Sequence, residues 1–154
     1  MTTGFFDYLG KQDQPTIKPH GLFSRFHDGD WQKVGEFGAV RHYASGAKIF
    51  AADSAEAAMF FISSGTVELT MDNPGAFNGR KVEIGPGSVF GILSFFDGQT
   101  RGVKAVARGP VETLMLDKAM LERLAAWHPR IAMIILQDVA EVIAQKLRQH
   151  DPLI

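Results

Sequence analysis

Between Val40 and Leu116 the apolar residues come in short runs broken by turn-forming residues. The runs are Ala39–Tyr43, Lys48–Ala51, Ala58–Ser63, Gly65–Met71, Arg80–Ile84, Val89–Gly91, Val103–Ala107 and Val111–Leu116. The breaks are Ser45-Gly46, Ser64-Gly65, Asn73-Pro74-Gly75, Asn78-Gly79, Gly85-Pro86-Gly87, Asp97-Gly98 and Arg108-Gly109-Pro110. Closely spaced strands with such punctuation predict a sandwich, barrel or jelly roll. Val67, Leu69 and Met71 alternate with Thr66, Glu68 and Thr70, the period of a half-buried strand. On either side the period becomes helical. Upstream, the pattern from Leu22 to Val40 places Leu22, Phe23 and Phe26, then Trp31, Val34 and Phe37, at three- and four-residue steps, with Asp28 positioned to cap. Downstream, Asp117 is set to cap a helix over Lys118–Trp127, and Pro129 opens a long helix over Arg130–Gln149.

That long helix carries a stripe of Ile131, Ile135, Val139, Val142 or Ile143, and Leu147. Ala132, Met133, Ile134 and Leu136 widen it until the first half is apolar nearly all round. One face can pack on the strands. A second apolar face asks for another helix, which predicts a homodimer or a partner protein along 130–149; the alternative is burial within its own monomer. Residues 1–20 read as an extension: Phe5, Phe6, Tyr8 and Leu9 suit a short amphipathic turn or helix, Phe5 and Phe6 pack on the domain or dock a partner, and Lys11–Pro19 is a linker. Residues 21–149 form the domain and 150–154 a tail.

The length of 154 residues fits one domain with a core of its own. Composition then removes function classes. The net charge of −1 carries no basic excess to mark a nucleic acid or anionic membrane surface. The absence of cysteine excludes disulfides, thiolate metal sites and cysteine nucleophiles. The N-terminus lacks a secretory pattern, and the longest apolar stretch, Ile131–Leu136, is too short to span a bilayer, so a cytoplasmic protein is expected. His20, His27, His42, His128 and His150 are scattered without short pair spacing, which argues against a metal-dependent roll enzyme. Ser63 and Ser64 lie outside any Gly-x-Ser-x-Gly elbow, Glu83 and Asp97 have no evident catalytic partner, and no phosphate-binding P-loop is present. No catalysis is expected.

Three motifs now fall in register. Tyr43-Ala-Ser-Gly46-Ala-Lys-Ile49-Phe50, Met59-Phe60-Phe61-Ile62-Ser63-Ser64-Gly65-Thr66-Val67-Glu68 and Ile84-Gly85-Pro86-Gly87-Ser88-Val89-Phe90-Gly91 resemble the turn, hairpin and ligand approach of the cyclic-nucleotide-binding domain family. The resemblance runs from Leu22 to about Arg148. It implies an α+β fold: an eight-stranded β-roll or jelly roll with N-terminal helices, a short cassette helix and a long C-terminal helix.

The segment from Phe90 to Ala105 resembles that family's phosphate-binding cassette. The resemblance implies a ligand site of Phe90, Gly91, Ile92, Leu93, Ser94, Arg101, Gly102 and Val103. Gly91 stands where the backbone must come close to the ligand. The start of a short helix over about Leu93–Phe96 offers amide N–H groups to a phosphate, and Arg101 supplies the charge-assisted clamp. Phe90, Phe95 and Phe96 read as core, and Lys104 and Arg108 as solvated charges. Ile92 stands at the family's glutamate, which accepts a hydrogen bond from the ribose hydroxyl. Losing a hydrogen bond to a charged group forfeits roughly 1.5–3 kcal/mol, about ten- to more than a hundredfold in affinity. Gly102 replaces the family's small serine or alanine, and Lys146 and Leu147 stand where the resemblance implies hydroxyls that meet the base.

The expected function is a non-catalytic sensor or adaptor that takes a cyclic nucleotide, dinucleotide or related phosphate and signals through residues 130–149. The alternative is a constitutive interaction module with a vestigial pocket. No cofactor is implied beyond that ligand. In family transcription factors a DNA-binding helix-turn-helix follows the long helix; here only 150–154 follow, so no direct DNA readout is expected.

Overall fold

The apolar runs pair into two four-stranded antiparallel sheets in the computed structural model, which describes residues 23–71, 81–99 and 102–150. The N-terminal apolar residues Phe5, Phe6, Tyr8 and Leu9, the linker Lys11–Pro19, Leu22, the turns at Asn73-Pro74-Gly75 and Asn78-Gly79, Arg101 and the tail from Asp151 lie outside the described residues. The strands are β1 Ala39–Tyr43, β2 Lys48–Phe50, β3 Ala58–Ser64, β4 Val67–Met71, β5 Lys81–Ile84, β6 Val89–Phe90, β7 Val103–Ala107 and β8 Val111–Asp117. The first sheet runs β1-β8-β3-β6 and the second β2-β7-β4-β5. All eight expected strands form, with ends displaced by no more than two residues, and they build the α+β jelly roll that the resemblance implied.

The first sheet is covered on both faces. Along β3, Ala58, Phe60 and Ile62 enter the roll interior with Phe50, Val67, Phe90 and Met115, while Met59 and Phe61 face the helices with Leu114 and Leu116 of β8. Two-faced burial is why β3 reads as an unbroken apolar run, whereas β4, with one covered face, alternates. On the helix side the sheet also buries polar groups: Ser63 Oγ–H donates to Glu112 Oε1 at 2.7 Å, and His42 Nε2 lies 2.8 Å from Glu112 Oε2.

The described residues also form four helices: α1 Asp30–Phe37, α2 Ile92–Asp97, α3 Lys118–Trp127 and α4 Pro129–His150. Asp117 caps α3 as its position suggested, accepting from the Met120 N–H at 2.8 Å. The lead-in departs from expectation. The helical pattern over Leu22–Val40 yields helix only from Asp30 to Phe37, and Asp28 does not cap it; the N-cap is Gly29. The physical reason is two left-handed residues, Phe23 at φ 59° and Gly29 at φ 84°, which interrupt any right-handed run. For Phe23 that backbone costs about 1–2 kcal/mol. Asp30 closes the turn instead, accepting from the His27 N–H at 2.6 Å.

Two ion pairs tie this lead-in to α4. Both oxygens of Asp30 accept from Arg130 at 2.8 Å, and Asp138 accepts from Arg25 at 2.8 Å. Burial of Asp30 alone would raise its pKa. The hydrogen bonds from Arg130 and the His27 backbone, with the arginine's charge, outweigh it and hold the carboxyl below its ordinary 3.8. The ionised Asp30 therefore stabilises the fold in full above the unfolded-state value, and that contribution is lost as pH falls through the lower folded-state value. Asp30→Asn is expected to cost about 1–3 kcal/mol near neutral pH. Urea titrations across pH should show the gap to wild type constant above about pH 5 and closing as acid protonates Asp30.

Candidate functional site

The cassette starts where β6 ends. Val89 and Phe90 alternate across the sheet, so Val89 joins the helix-side core and Phe90 the roll interior. There the Phe90 ring stacks on Phe60 at 5.1 Å and lies 5.8 Å from Phe50. This is core packing, as its sequence context indicated. Gly91 then takes φ 75° and forms the N-cap of α2 with no side-chain cap. The left-handed turn lets the chain swing from strand directly into helix.

The four residues that follow divide by face. Ile92 is 6% exposed and lies in the helix-side core with Phe95 and Leu121. Ser94 is buried, and its carbonyl accepts the Gly98 N–H at 3.0 Å to close the helix. Leu93 is 63% exposed and Phe96 is also exposed, against the expectation that Phe96 belongs to the core. A six-residue helix lying on a sheet can bury only one stripe, and Phe95 takes the inward place that Phe96 was expected to share. The Phe96 carbonyl accepts from Lys118 Nζ at 3.3 Å, which fixes the end of α2 to the start of α3.

The return strand brings the other half of the candidate site. Gly102 has φ 71°, and its N–H donates to the Ala52 carbonyl at 3.0 Å. Val103 is half-buried at the start of β7 and pairs with Met71. Arg101 lies outside the described residues. Lys104 is exposed, while Arg108 places its Nε 3.5 Å from Glu68 Oε2. Among the described residues no group of three or more His, Cys, Asp or Glu is placed to hold a metal ion.

The long helix has two faces. Ile131, Ile134, Ile135, Asp138 and Val139 are buried against the domain. Met133, Leu136 and Leu147 are exposed, which corrects the placement of Leu147 on the inward stripe. Beyond Ile143 the described side chains of α4 are exposed, Leu147 among them. The sequence reading missed Asp138 as a structural residue. Its signal was there: one acid between Ile135 and Val139 on an otherwise apolar stripe, where charges are rarely buried without a partner. Among the described residues no helix is long and apolar enough to cross a membrane.

The burial pattern of α2 can be checked by paired substitutions. Ile92→Glu should lower stability by about 2–5 kcal/mol, because it loses core packing and buries a carboxylate. Leu93→Glu should change it by less than about 0.5 kcal/mol. Urea midpoints of the two variants against wild type supply the comparison.

Comparison with known proteins follows the same outline. The model of the cyclic nucleotide-binding domain matches residues 40–128, more than half the chain. Glutaminase 2 of Bradyrhizobium diazoefficiens is 29% identical over 70% of this chain and 16% of its own length. A cyclic nucleotide-gated potassium channel of Mesorhizobium japonicum is 32% identical over 54% of this chain and 21% of its own length. The crystal structure of the Thermus thermophilus catabolite activator protein superposes with a TM-score of 0.72 and 26% identity, covering 84% of this chain and 59% of that one. The chain thus spans about a sixth to a fifth of the two curated relatives, and the glutaminase name belongs to a much longer protein. The matched family is one of ligand-binding domains, generally without catalysis of their own. With its two-sheet roll, its turn from β6 into α2 and a family match across both, this chain is a member of the cyclic nucleotide-binding domain family.

Proposed function

We propose that the chain is a non-catalytic sensor or adaptor in signal transduction, taking a cyclic nucleotide or a related phosphate at the cassette and using α4 as its output. The ligand's phosphate is held by Arg101 and by backbone amides over Gly91–Ser94, with Phe90, Gly102 and Val103 shaping the surroundings. The observation that carries the reading is the family match over residues 40–128, which spans the cassette from β6 to β7. Binding is weak or unconventional. Ile92 contributes a buried alkyl group where the family's acid meets the sugar, and an alkyl group accepts no hydrogen bond. The Mesorhizobium relative, a cyclic nucleotide-gated channel by name, supports the ligand class.

The output helix associates with a second copy of the chain. Its exposed face runs Met133, Leu136, Ala140, half-buried Ile143 and Leu147, at alternating steps of three and four. That is the spacing of a two-stranded coiled-coil seam. The same face favours a second reading, in which the chain is a constitutive interaction module and the pocket is vestigial.

Calorimetry with cAMP, cGMP and cyclic di-GMP separates the two. The sensor requires saturable heat with at least one of them, weakened at least about tenfold by Arg101→Ala. Silence with all three leaves the interaction module. Sedimentation velocity examines the seam: wild type should run as a dimer, and Leu136→Glu, altering an exposed position, should run as a folded monomer. A wild-type monomer at tens of micromolar would remove the second copy.

A further inference from the structure

Phe23 holds a backbone conformation that its side chain disfavours. It is the one non-glycine residue among those described with a positive φ, 59°, where Cβ crowds the carbonyl oxygen. A residue remains there only where its surroundings over-determine it, and such positions concentrate at switch regions. Two sets of contacts hold it. The buried ring lies edge-on to Trp31 at 4.9 Å and to Phe61 at 5.5 Å, and tilted against Phe26 at 5.3 Å. The backbone N–H donates to Asp138 Oδ2 at 2.7 Å, across 115 residues of sequence.

Asp138 sits on α4 and is 6% exposed. Its other oxygen accepts from Arg25 at 2.8 Å, and the second guanidinium nitrogen of Arg25 donates to Gln137 Oε1 at 2.6 Å. One carboxylate therefore takes a main-chain and a side-chain donor from the same turn. The two differ in kind. The half-exposed Arg25 can follow a moving helix by changing rotamer. The Phe23 N–H can follow only if the chain itself moves.

We propose that Asp138 is a latch, holding the turn at residues 23–26 in its strained form for as long as α4 stays in place. When α4 carries the carboxylate away, Phe23 returns to an ordinary negative φ. That is a rotation of roughly 120° about N–Cα. A displacement of α4 is thereby converted into a change of conformation at the turn of residues 23–26. The inference does not depend on the cassette holding a ligand.

Native-state hydrogen exchange on the full chain tests it. In wild type, the amides of 23–29 and of 131–139 should open together, with protection agreeing within about threefold. Asp138→Ala should lower protection over 23–29 at least about tenfold, while 131–139, β3 and β8 stay within about threefold of wild type. Arg25→Ala, which spares the main-chain bond, should cost 23–29 no more than about threefold. The latch is overturned if the two segments open independently in wild type, if Asp138→Ala leaves 23–29 as protected as before, or if Arg25→Ala matches it. Should Asp138→Ala unfold the domain, Asp138→Asn keeps the volume and replaces the charged acceptor with a weaker neutral one. A fall in protection confined to 23–29 then supports the latch, and no fall, or an equal fall across β3 and β8, removes it.

Discussion

The pairing of β3 with β8 is the constraint on which the rest of the structure rests. Residue against residue from Ala58↔Asp117 to Ile62↔Thr113, the two strands form the middle of a sheet buried on both faces. A one-residue slip would exchange the faces and send Phe60 and Ile62 to the helices and Met59 and Phe61 into the roll. Each fully buried side chain of this size contributes about 1.5–3 kcal/mol, so the register is strongly specified. Both cores grow from this sheet. The roll interior gathers Phe50, Phe60 and Phe90, and the helix side gathers α1, α3 and α4 over Phe61 and Leu114.

The cassette inherits its geometry from that sheet. Phe90 pairs with Phe60, and so the point at which the chain leaves β6 is fixed by the central strand. Gly91 makes the turn, and Ile92 is the first side chain to fall back on the helix-side core. An isoleucine here supplies core packing that a carboxylate could not. Under the proposed function it also leaves the cassette without an acid to accept from a sugar hydroxyl.

The helices join the sheet and one another through apolar packing, and two ion pairs add ties between α4 and the lead-in. Arg130 at the start of α4 meets Asp30, and Asp138 two turns later meets Arg25 and the backbone of Phe23. The acids are buried and the arginines stay about half exposed. This arrangement keeps the cations solvated and confines the desolvation cost to the carboxylates, whose hydrogen bonds offset it. It also adds fixed anchor points on α4 to the apolar packing that docks the eight-residue helix and the irregular turn.

The sequence by itself determined the eight strands, the capped helix α3, the long helix with two apolar faces, and a short helix between β6 and β7. All of these are written in local signals: glycine at turns, Asp117 before Met120, and apolar residues at strand or helix spacing. It did not determine the lead-in. Leu22, Phe23 and Phe26 keep a helical spacing, yet the tertiary cluster with Trp31 and Phe61 and the carboxylate of Asp138 outbid that local preference and turn Phe23 left-handed. Nor could it decide which side of α2 faces inward, since Ile92, Leu93, Phe95 and Phe96 are all apolar and only the sheet beneath separates buried from exposed. Local patterning fixes which elements form because its forces act within a few residues. Which groups 115 residues apart meet as donor and acceptor is settled only when packing brings their elements together.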